Sequence, residues 1–311
     1  MKCIKSVNRV ISMSKPHVIS VIVNWNGKED LRECLDSLAH VEYEPFSILV
    51  VDNGSSDGSV VFVSTHYPSV DIISLPHNHG YAFGLNKGVL MALEKKPDYI
   101  FILNNDTVIE PLAISRLIDV MESEKTVGIA APKVLCYDQP TKVYSLGTRS
   151  YRWLPLPVNF GYKKHDRLSY NRIMEFDYVT GCAMMVRSEI FHEVGLFDTS
   201  YYMYYEDADF CRRVRERGYR IVCVGDAVVY HKGARSTGRN KSLFTRIRAR
   251  NRIWFYRRYR HGPHPWITYG ALWLLALLHS VRYIKKRNWE LIIPYWQGFL
   301  EGWYKSTDFE K

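Results

Sequence analysis

Four small groups of residues have the types and spacing to do chemistry. The first closes the run Tyr99-Ile-Phe-Ile-Leu-Asn-Asn-Asp106, where an apolar stretch, Ile100–Leu103, gives way abruptly to Asn104-Asn105-Asp106. A carboxylate is a hard oxygen ligand suited to Mg²⁺ or Mn²⁺. Polar groups at the C-terminal end of a buried parallel strand lie where open α/β sheets bind ligands, although Asn and Asp are also ordinary turn residues. The second is Asp52, which ends another apolar run. It could accept a hydrogen bond from a nucleobase N–H or a ribose hydroxyl, or simply cap the turn before Gly54. The third is Glu206-Asp207-Ala-Asp209 at the start of a helical pattern. The helix dipole favours carboxylates there, and a partly enclosed one could act as a general base on a hydroxyl. Asp209 also stands four residues before Arg213, the spacing of an intrahelical ion pair. The fourth is His231, followed by Lys232 and Arg235. It could complete a metal shell with Asp106 or be structural. The two cations could hold diphosphate oxygens or be solvated.

These groups need elements that bring them together. Val18–Val23, Phe46–Val51, Asp71–Leu75, the run before Asn104 and Val127–Ala131 read as strands. Residues 28–40, a stretch ending at Thr65, one ending near Lys95, and 111–124 read as helices. This alternation predicts a mostly parallel sheet with helices on both faces. Asn78-His-Gly-Tyr-Ala-Phe-Gly-Leu-Asn86 opens the third helix. Its small residues suit a phosphate at the helix N-terminus or tight helix–sheet packing, and its spacing is not GxGxxG. Past Pro132 the regularity fails. Residues 133–175 read as an insertion that shapes a binding mouth. A strand over 177–186, a helix over 188–194, a helix to Arg217 and two extended pieces, 219–224 and 227–231, follow. Tyr201, Tyr202, Tyr204 and Tyr205 could stack on a sugar or pack in the core.

Composition sets the bounds. The 311 residues are 47% hydrophobic, enough for one large or two smaller domains. Six scattered cysteines without a CxxC pair suggest a reducing compartment. Residues 1–16 carry Lys and Arg without an apolar h-region, so they read as a flexible leader and not a signal peptide. Residues 1–226 hold 25 Lys/Arg against 28 Asp/Glu, whereas residues 227–311 hold 17 against 4. The net charge of +10 is therefore a property of the C-terminal part, and an anionic surface is the expected partner.

The ordered set of motifs resembles the family 2 inverting glycosyltransferases, which have the GT-A fold, and in particular their bacterial rhamnosyltransferase-like members. The segments that carry the likeness are Val21-Ile-Val-Asn-Trp-Asn26, Val51-Asp-Asn-Gly-Ser-Ser-Asp57, Asn78–Gly88 and Leu103-Asn-Asn-Asp-Thr107. Later ones are Thr180-Gly-Cys-Ala-Met-Met-Val-Arg187, Val194-Gly-Leu-Phe-Asp198 and Tyr205-Glu-Asp-Ala-Asp-Phe-Cys-Arg-Arg213. The resemblance implies a GT-A domain over 17–237, with a nucleotide-binding part, 17–131, and an acceptor-binding part, 132–237. It implies Asp207 as catalytic base with Glu206 as the neighbouring alternative, and Asp106, assisted by His231, as ligand of Mg²⁺ or Mn²⁺. Asn104 departs from a fully acidic triplet. Donor-binding residues are then expected at Asn24, Asp52, Asn78, Gly80, Asn86, Asn104, Asn105, Lys232 and Arg235. Acceptor-binding residues are expected at Thr180, Gly181, Tyr202 and Tyr204.

Residues 238–311 read as a helical, membrane-associating extension. Arg246, Arg248, Arg250, Arg252, Arg257, Arg258 and Arg260 alternate with Ile247, Ile253, Trp254, Phe255 and Tyr256. A cationic helix with aromatics suits a membrane interface. Trp266–Val281 is apolar but short for a span. Trp289, Trp296 and Trp303 recur every seven residues, with Pro294 as a possible kink. No nucleic-acid recognition fold accompanies the charge. The sequence therefore predicts a cytoplasmic enzyme, peripheral on the inner face of the cell membrane, that moves a sugar from a dTDP-rhamnose or UDP-sugar donor to a saccharide or lipid-linked acceptor in cell-surface polysaccharide assembly. A homo-oligomer is possible. The alternatives are an inactive nucleotide-sugar-binding protein of the same fold and a doubly wound oxidoreductase.

Overall fold

A computed structural model describes residues 15–151, 154–233, 240–259 and 265–304. The strands are β1 (Val18–Asn24), β2 (Phe46–Asp52), β3 (Asp71–Ser74), β4 (Tyr99–Asn104), β5 (Thr107–Ile109), β6 (Val127–Cys136), β7 (Gln139–Ser145), β8 (Thr148–Tyr151), β9 (Leu154–Asn159), β10 (Ile173–Glu175), β11 (Ala183–Arg187) and β12 (Arg220–His231). The helices are α1 (Lys28–Leu38), α2 (Ser59–His66), α3 (Tyr81–Glu94), α4 (Ala113–Ser123), α5 (Ser188–Val194), α6 (Glu206–Glu216), α7 (Lys241–Arg258), α8 (Pro265–Lys285) and α9 (Ile292–Tyr304).

The main sheet has the strand order β10-β12-β6-β11-β4-β1-β2-β3. β1 to β4 run parallel, and β12 is parallel to β6. β11 is antiparallel to both β4 and β6, so it is a single reversed strand between strands that share one direction. The strand expected over 177–186 is observed only as Ala183–Arg187, and the two extended pieces expected over 219–224 and 227–231 are one strand, β12, with an irregularity between Val224 and Val228.

Each central strand is buried on both faces, which is why it reads as a continuous apolar run. Ile22, Phe101 and Leu103 pack with Leu31 and Leu35 of α1 and Ile114 and Leu117 of α4 on one side. Val21, Ile100 and Ile102 pack with Leu85 and Val89 of α3 and Phe210 of α6 on the other. Register then aligns the polar strand ends, since Asn24 lies opposite Asp52, and Val23 opposite Asn104.

The C-terminal helices form a third core. Ile253 and Tyr256 of α7 meet Leu272 and Ala276 of α8 and Tyr295 and Phe299 of α9, and Ala208 of α6 joins them. α7 is therefore not a free cationic face. Arg246 pairs with Glu301, Arg252 donates to Tyr205 Oη, and Arg258 pairs with Asp198 and Asp209. Arg260 lies outside the described residues. Pro294 falls in the first turn of α9, where its missing N–H costs no helical bond, so it introduces no kink. The three tryptophans do not share one outward face. Trp289 is exposed in a 3₁₀ turn, Trp296 donates to Ser280 Oγ at 2.9 Å, and Trp303 packs edge-on against Tyr269. Exposed apolar side chains are concentrated on α8, with Trp266, Trp273, Leu274, Leu277, Leu278, Val281 and Ile284. α8 is long and apolar enough to cross a membrane by length and composition.

Candidate active site

A cleft of ≈ 550 Å³ opens at the C-terminal ends of β1 and β4. Its floor is Asn104, Asn105 and Asp106, and one wall is Thr180, Gly181, Glu206 and Asp207. Its mouth is Tyr144, Ser145, Thr148, Pro157 and Asn159 from the 133–175 insertion. Asn78, Tyr204 and His231 also line it.

Asp106 is buried in the two-residue turn between β4 and β5, and β5 pairs with β12 so that Thr107 lies opposite His231. This pairing sets His231 Nε2 3.1 Å from Asp106 Oδ1. Burial is the largest influence and works to raise the Asp106 carboxyl, but the bond and charge of His231, a backbone N–H and the Lys232 charge together hold the group below its usual range. His231 Nδ1 is buried with no hydrogen-bond partner. The pair fits a divalent cation, because adjacent ligands on an octahedral ion with bonds of about 2.1 Å lie about 3 Å apart. Among the described residues no group of three or more His, Cys, Asp or Glu forms a metal cage. Mg²⁺-type sites commonly rely on one or two protein ligands plus water and phosphate oxygens. The other members of the triplet are engaged elsewhere. Asn104 Oδ1 accepts from Tyr81 Oη at 2.9 Å, and Asn105 Nδ2 donates to Asn24 Oδ1 at 2.7 Å.

Asp207 sits in the first turn of α6. Its Oδ2 accepts from the Gly181 N–H at 2.9 Å and its Oδ1 from the Ala208 N–H at 2.8 Å. Gly181 has no side chain here for a close-range reason, since a Cβ would lie 3.2 Å from Asp207 Cβ. Burial raises the Asp207 carboxyl, and the two backbone N–H groups oppose that rise. Glu206 is different. Its Oε2 is buried without a partner, and burial, reinforced by the Asp207 charge, pushes its carboxyl well above the usual range. Both carboxyls are thus raised, Glu206 the more strongly, and Asp207 is the one that two backbone N–H groups orient at the cleft wall. Asp209 is fully buried and bonds Arg213, Arg258 and Tyr259, so it is structural as its spacing suggested.

Ten of the expected residues meet in this cleft: Asn78, Asn104, Asn105, Asp106, Thr180, Gly181, Tyr204, Glu206, Asp207 and His231. Six do not line it. Asp52 is buried, taking bonds from Asn24 Nδ2 at 3.1 Å and Ser55 N at 2.9 Å, and Asn24 lies beneath Asn105. Asn86 spends both amide functions on the backbone of Phe197. Lys232 pairs with Asp30 and Glu33 of α1 at 2.9 and 3.0 Å. The Tyr202 ring lies over Gly80, where a Cβ would come within 2.4 Å of it. At the α3 N-terminus the Ala82 N–H donates to Tyr202 O at 3.2 Å. The glycines of α3 serve packing: a Cβ on Gly88 would approach Val21 Cγ1 to 2.4 Å. Arg235 lies outside the described residues.

Sequence reasoning missed Trp25, Asn53, Tyr81, Tyr144, Tyr178 and Arg248, all of which line the cleft. Tyr144 packs edge-on against His231 at 4.5 Å, and Arg248 of α7 stacks on Tyr204 at 4.2 Å. Tyr81, at the first position of α3 and two residues after His79, carried the one usable signal, a large polar aromatic inside a run of small residues. Cys182, also in the cleft, is no nucleophile, since burial pushes its thiol up to about 12.

Comparisons with known proteins agree with this architecture. The model of "Glycosyl transferase family 2" matches residues 20–195, more than half of the chain. The chain is 27% identical over 308 residues to an N-acetylglucosaminyl-diphospho-decaprenol L-rhamnosyltransferase of Mycobacterium tuberculosis, covering 88% of this chain and 96% of the relative. It is 27% identical to the rhamnosyltransferase WbbL of Escherichia coli over 218 residues, 66% of this chain and 79% of the relative. Among solved structures, the mannosyltransferase PcManGT of Pyrobaculum calidifontis with GDP-Man and Mn²⁺ superposes with a TM-score of 0.55 at 17% identity, covering 95% and 78% of the two chains. GalNAc-T7 with UDP, GalNAc and Mn²⁺ gives 0.58 at 14% identity, covering 70% of this chain but only 44% of that one. These likenesses carry the GT-A fold and displace the oxidoreductase alternative. The chain belongs to glycosyl transferase family 2, with rhamnosyltransferases among its relatives.

Proposed function

We propose that the protein is an inverting hexosyltransferase that moves a sugar from a nucleotide diphosphate, dTDP-rhamnose or a UDP-sugar, to a saccharide hydroxyl in cell-surface polysaccharide assembly. The observation that carries this reading is Asp207, a carboxylate oriented by two backbone N–H groups at the wall of a cleft whose floor holds Asp106 and His231. Asp207 takes the proton of the acceptor hydroxyl as that oxygen attacks the anomeric carbon. The attack comes from the face opposite the leaving nucleotide, so one displacement inverts the centre. Asp106 and His231 would hold Mg²⁺ or Mn²⁺, which would offset charge on the leaving diphosphate. Asn78, Asn105 and Arg248 line the same cleft.

The acceptor is a lipid-linked saccharide, in keeping with the diphospho-decaprenol in a relative's name. The enzyme meets it at the cytoplasmic membrane face through α8, whose exposed Leu274, Leu277 and Leu278 stand beside Arg282, Lys285, Lys286 and Arg287. Near an anionic leaflet each such cation contributes about 1 kcal/mol.

Thermal stabilisation by UDP-, dTDP- and GDP-sugars, each with and without Mn²⁺, tests the donor side. Metal-dependent stabilisation by one nucleotide class, lost in Asp106→Ala, is expected. No shift with any of them contradicts the reading.

A further inference from the structure

The segment between Tyr201 and the base is bent against its own preference. Tyr202, Tyr204 and Tyr205 have φ of 63°, 69° and 77°, in the left-handed region that L-residues with bulky side chains avoid. Tyr205 is the residue that starts α6, so its conformation sets where Glu206 and Asp207 begin. Strained backbone of this kind persists only when the surroundings over-determine it.

The restraint comes from a distant part of the chain. Asn251, in the middle of α7 and fully buried, directs its Nδ2 at Tyr201 O, Met203 O and Tyr204 O, at 2.8, 2.9 and 2.8 Å. A side-chain amide has two N–H donors, so two hydrogens serve three carbonyls that converge on one nitrogen. Arg250 adds longer bonds from Nη2 to Ser200 O and Tyr201 O, both 3.3 Å. Across the strained segment, Tyr205 Oη is bonded by Arg252 at 3.1 Å. Arg250, Asn251 and Arg252, three consecutive residues of α7, thus hold Ser200, Tyr201, Met203, Tyr204 and Tyr205 in the stretch before the base. Asn is a poor choice for a helix interior, and this one makes no bond to its own helix backbone among those observed, so its place is explained by the loop it holds.

We infer that Asn251 is a positioning residue for the catalytic base. It holds the 201–205 turn in its strained form and so fixes Asp207 against Gly181. α7 is then part of the active site, and the C-terminal extension does more than reach a surface. The inference rests on the reading of Asp207 as base, and its test separates the two.

The experiment compares Asn251→Ala, Asn251→Gln and Asn251→Asp in the full chain. Hydrogen–deuterium exchange over 201–209 reads the turn directly and needs no substrate. Exchange there should quicken at least tenfold in Asn251→Ala, and further in Asn251→Asp, whose carboxylate faces three carbonyl oxygens. Exchange of β1 and β4 should stay as in the parent, which separates local release from a general loss of fold. With dTDP-rhamnose and UDP-sugars as donor probes and a lipid-linked saccharide as acceptor, kcat should fall at least tenfold with donor KM unchanged, and its pH profile should shift as Asp207 loses the Gly181 N–H. Asn251→Gln, which keeps the donors, should recover part of both. Unchanged exchange over 201–209 in Asn251→Ala overturns the inference whatever the enzyme's activity. So does quickened exchange with kcat and pH profile intact. No turnover in the parent with any donor, alongside quickened exchange in the variant, counts against the proposed function and leaves the turn-holding role standing.

Discussion

The Gly181 N–H donates to Asp207 Oδ2 at 2.9 Å, joining the strand-entry turn before β11 to the first turn of α6. This bond crosses the wall of the cleft. It orients one carboxylate and lowers its proton affinity against the burial that raises it. Its neighbour Glu206 has no comparable donor to Oε2. Two adjacent acidic residues thereby differ in how far burial raises them, Glu206 more than Asp207.

The raised Glu206 carboxyl has a consequence for stability. A carboxyl whose folded pKa lies above its unfolded value of about 4.5 favours the fold fully below that value. That contribution is lost as pH rises through the folded pKa. Glu206→Gln removes the titration while keeping the shape. The variant should therefore gain in Tm relative to the parent as pH is raised from 4 to 8, measured by thermal melts across that range. A constant Tm difference over the range would show that Glu206 ionises as an ordinary surface carboxyl does.

Lys232 should prove structural. Its ammonium is buried and pairs with Asp30 and Glu33, and the Glu33 carboxyl is lowered chiefly by that bond. Lys232→Met should cost about 1–3 kcal/mol of stability, seen as a lower denaturation midpoint. Nucleotide-diphosphate affinity, measured by calorimetry, should stay within twofold. A tenfold loss of affinity at unchanged stability would return Lys232 to the donor site.

The apolar face of α8 should carry membrane binding. Leu274→Ser with Leu278→Ser removes exposed apolar side chains without touching Leu272 or Ala276, which are buried. Co-sedimentation with anionic vesicles should fall severalfold, while turnover of a detergent-dispersed acceptor persists. Equal sedimentation of parent and variant would locate any membrane contact elsewhere.

Much of this was legible in the sequence for a physical reason. Strands buried on both faces leave continuous apolar runs, and their polar ends mark the crevice, so Asp106, Asp207 and His231 could be named from local pattern and the family likeness. What could not be read was the use made of each polar group. Asn86 looks like a ligand until Phe197 occupies both ends of its amide, and Lys232 looks like a phosphate clamp until α1 supplies two carboxylates. The arginines of α7 looked like a membrane face because charge counting cannot see Glu301, Asp198 or the carbonyls of residues 200 and 201. Arg248 and Asn251 were hidden for the same reason. Their partners lie across the fold, and no local periodicity points at them.

The central claim is that Asp207 acts as base on an acceptor hydroxyl in this cleft. The measurement that tests it most directly is sugar transfer by the parent and by Asp207→Asn, with nucleotide binding measured on the same preparations. General-base catalysis contributes about 10²–10⁴ in rate. Asp207→Asn should lose transfer by that factor and keep nucleotide affinity. Transfer within threefold of the parent, at equal nucleotide affinity, would contradict the account.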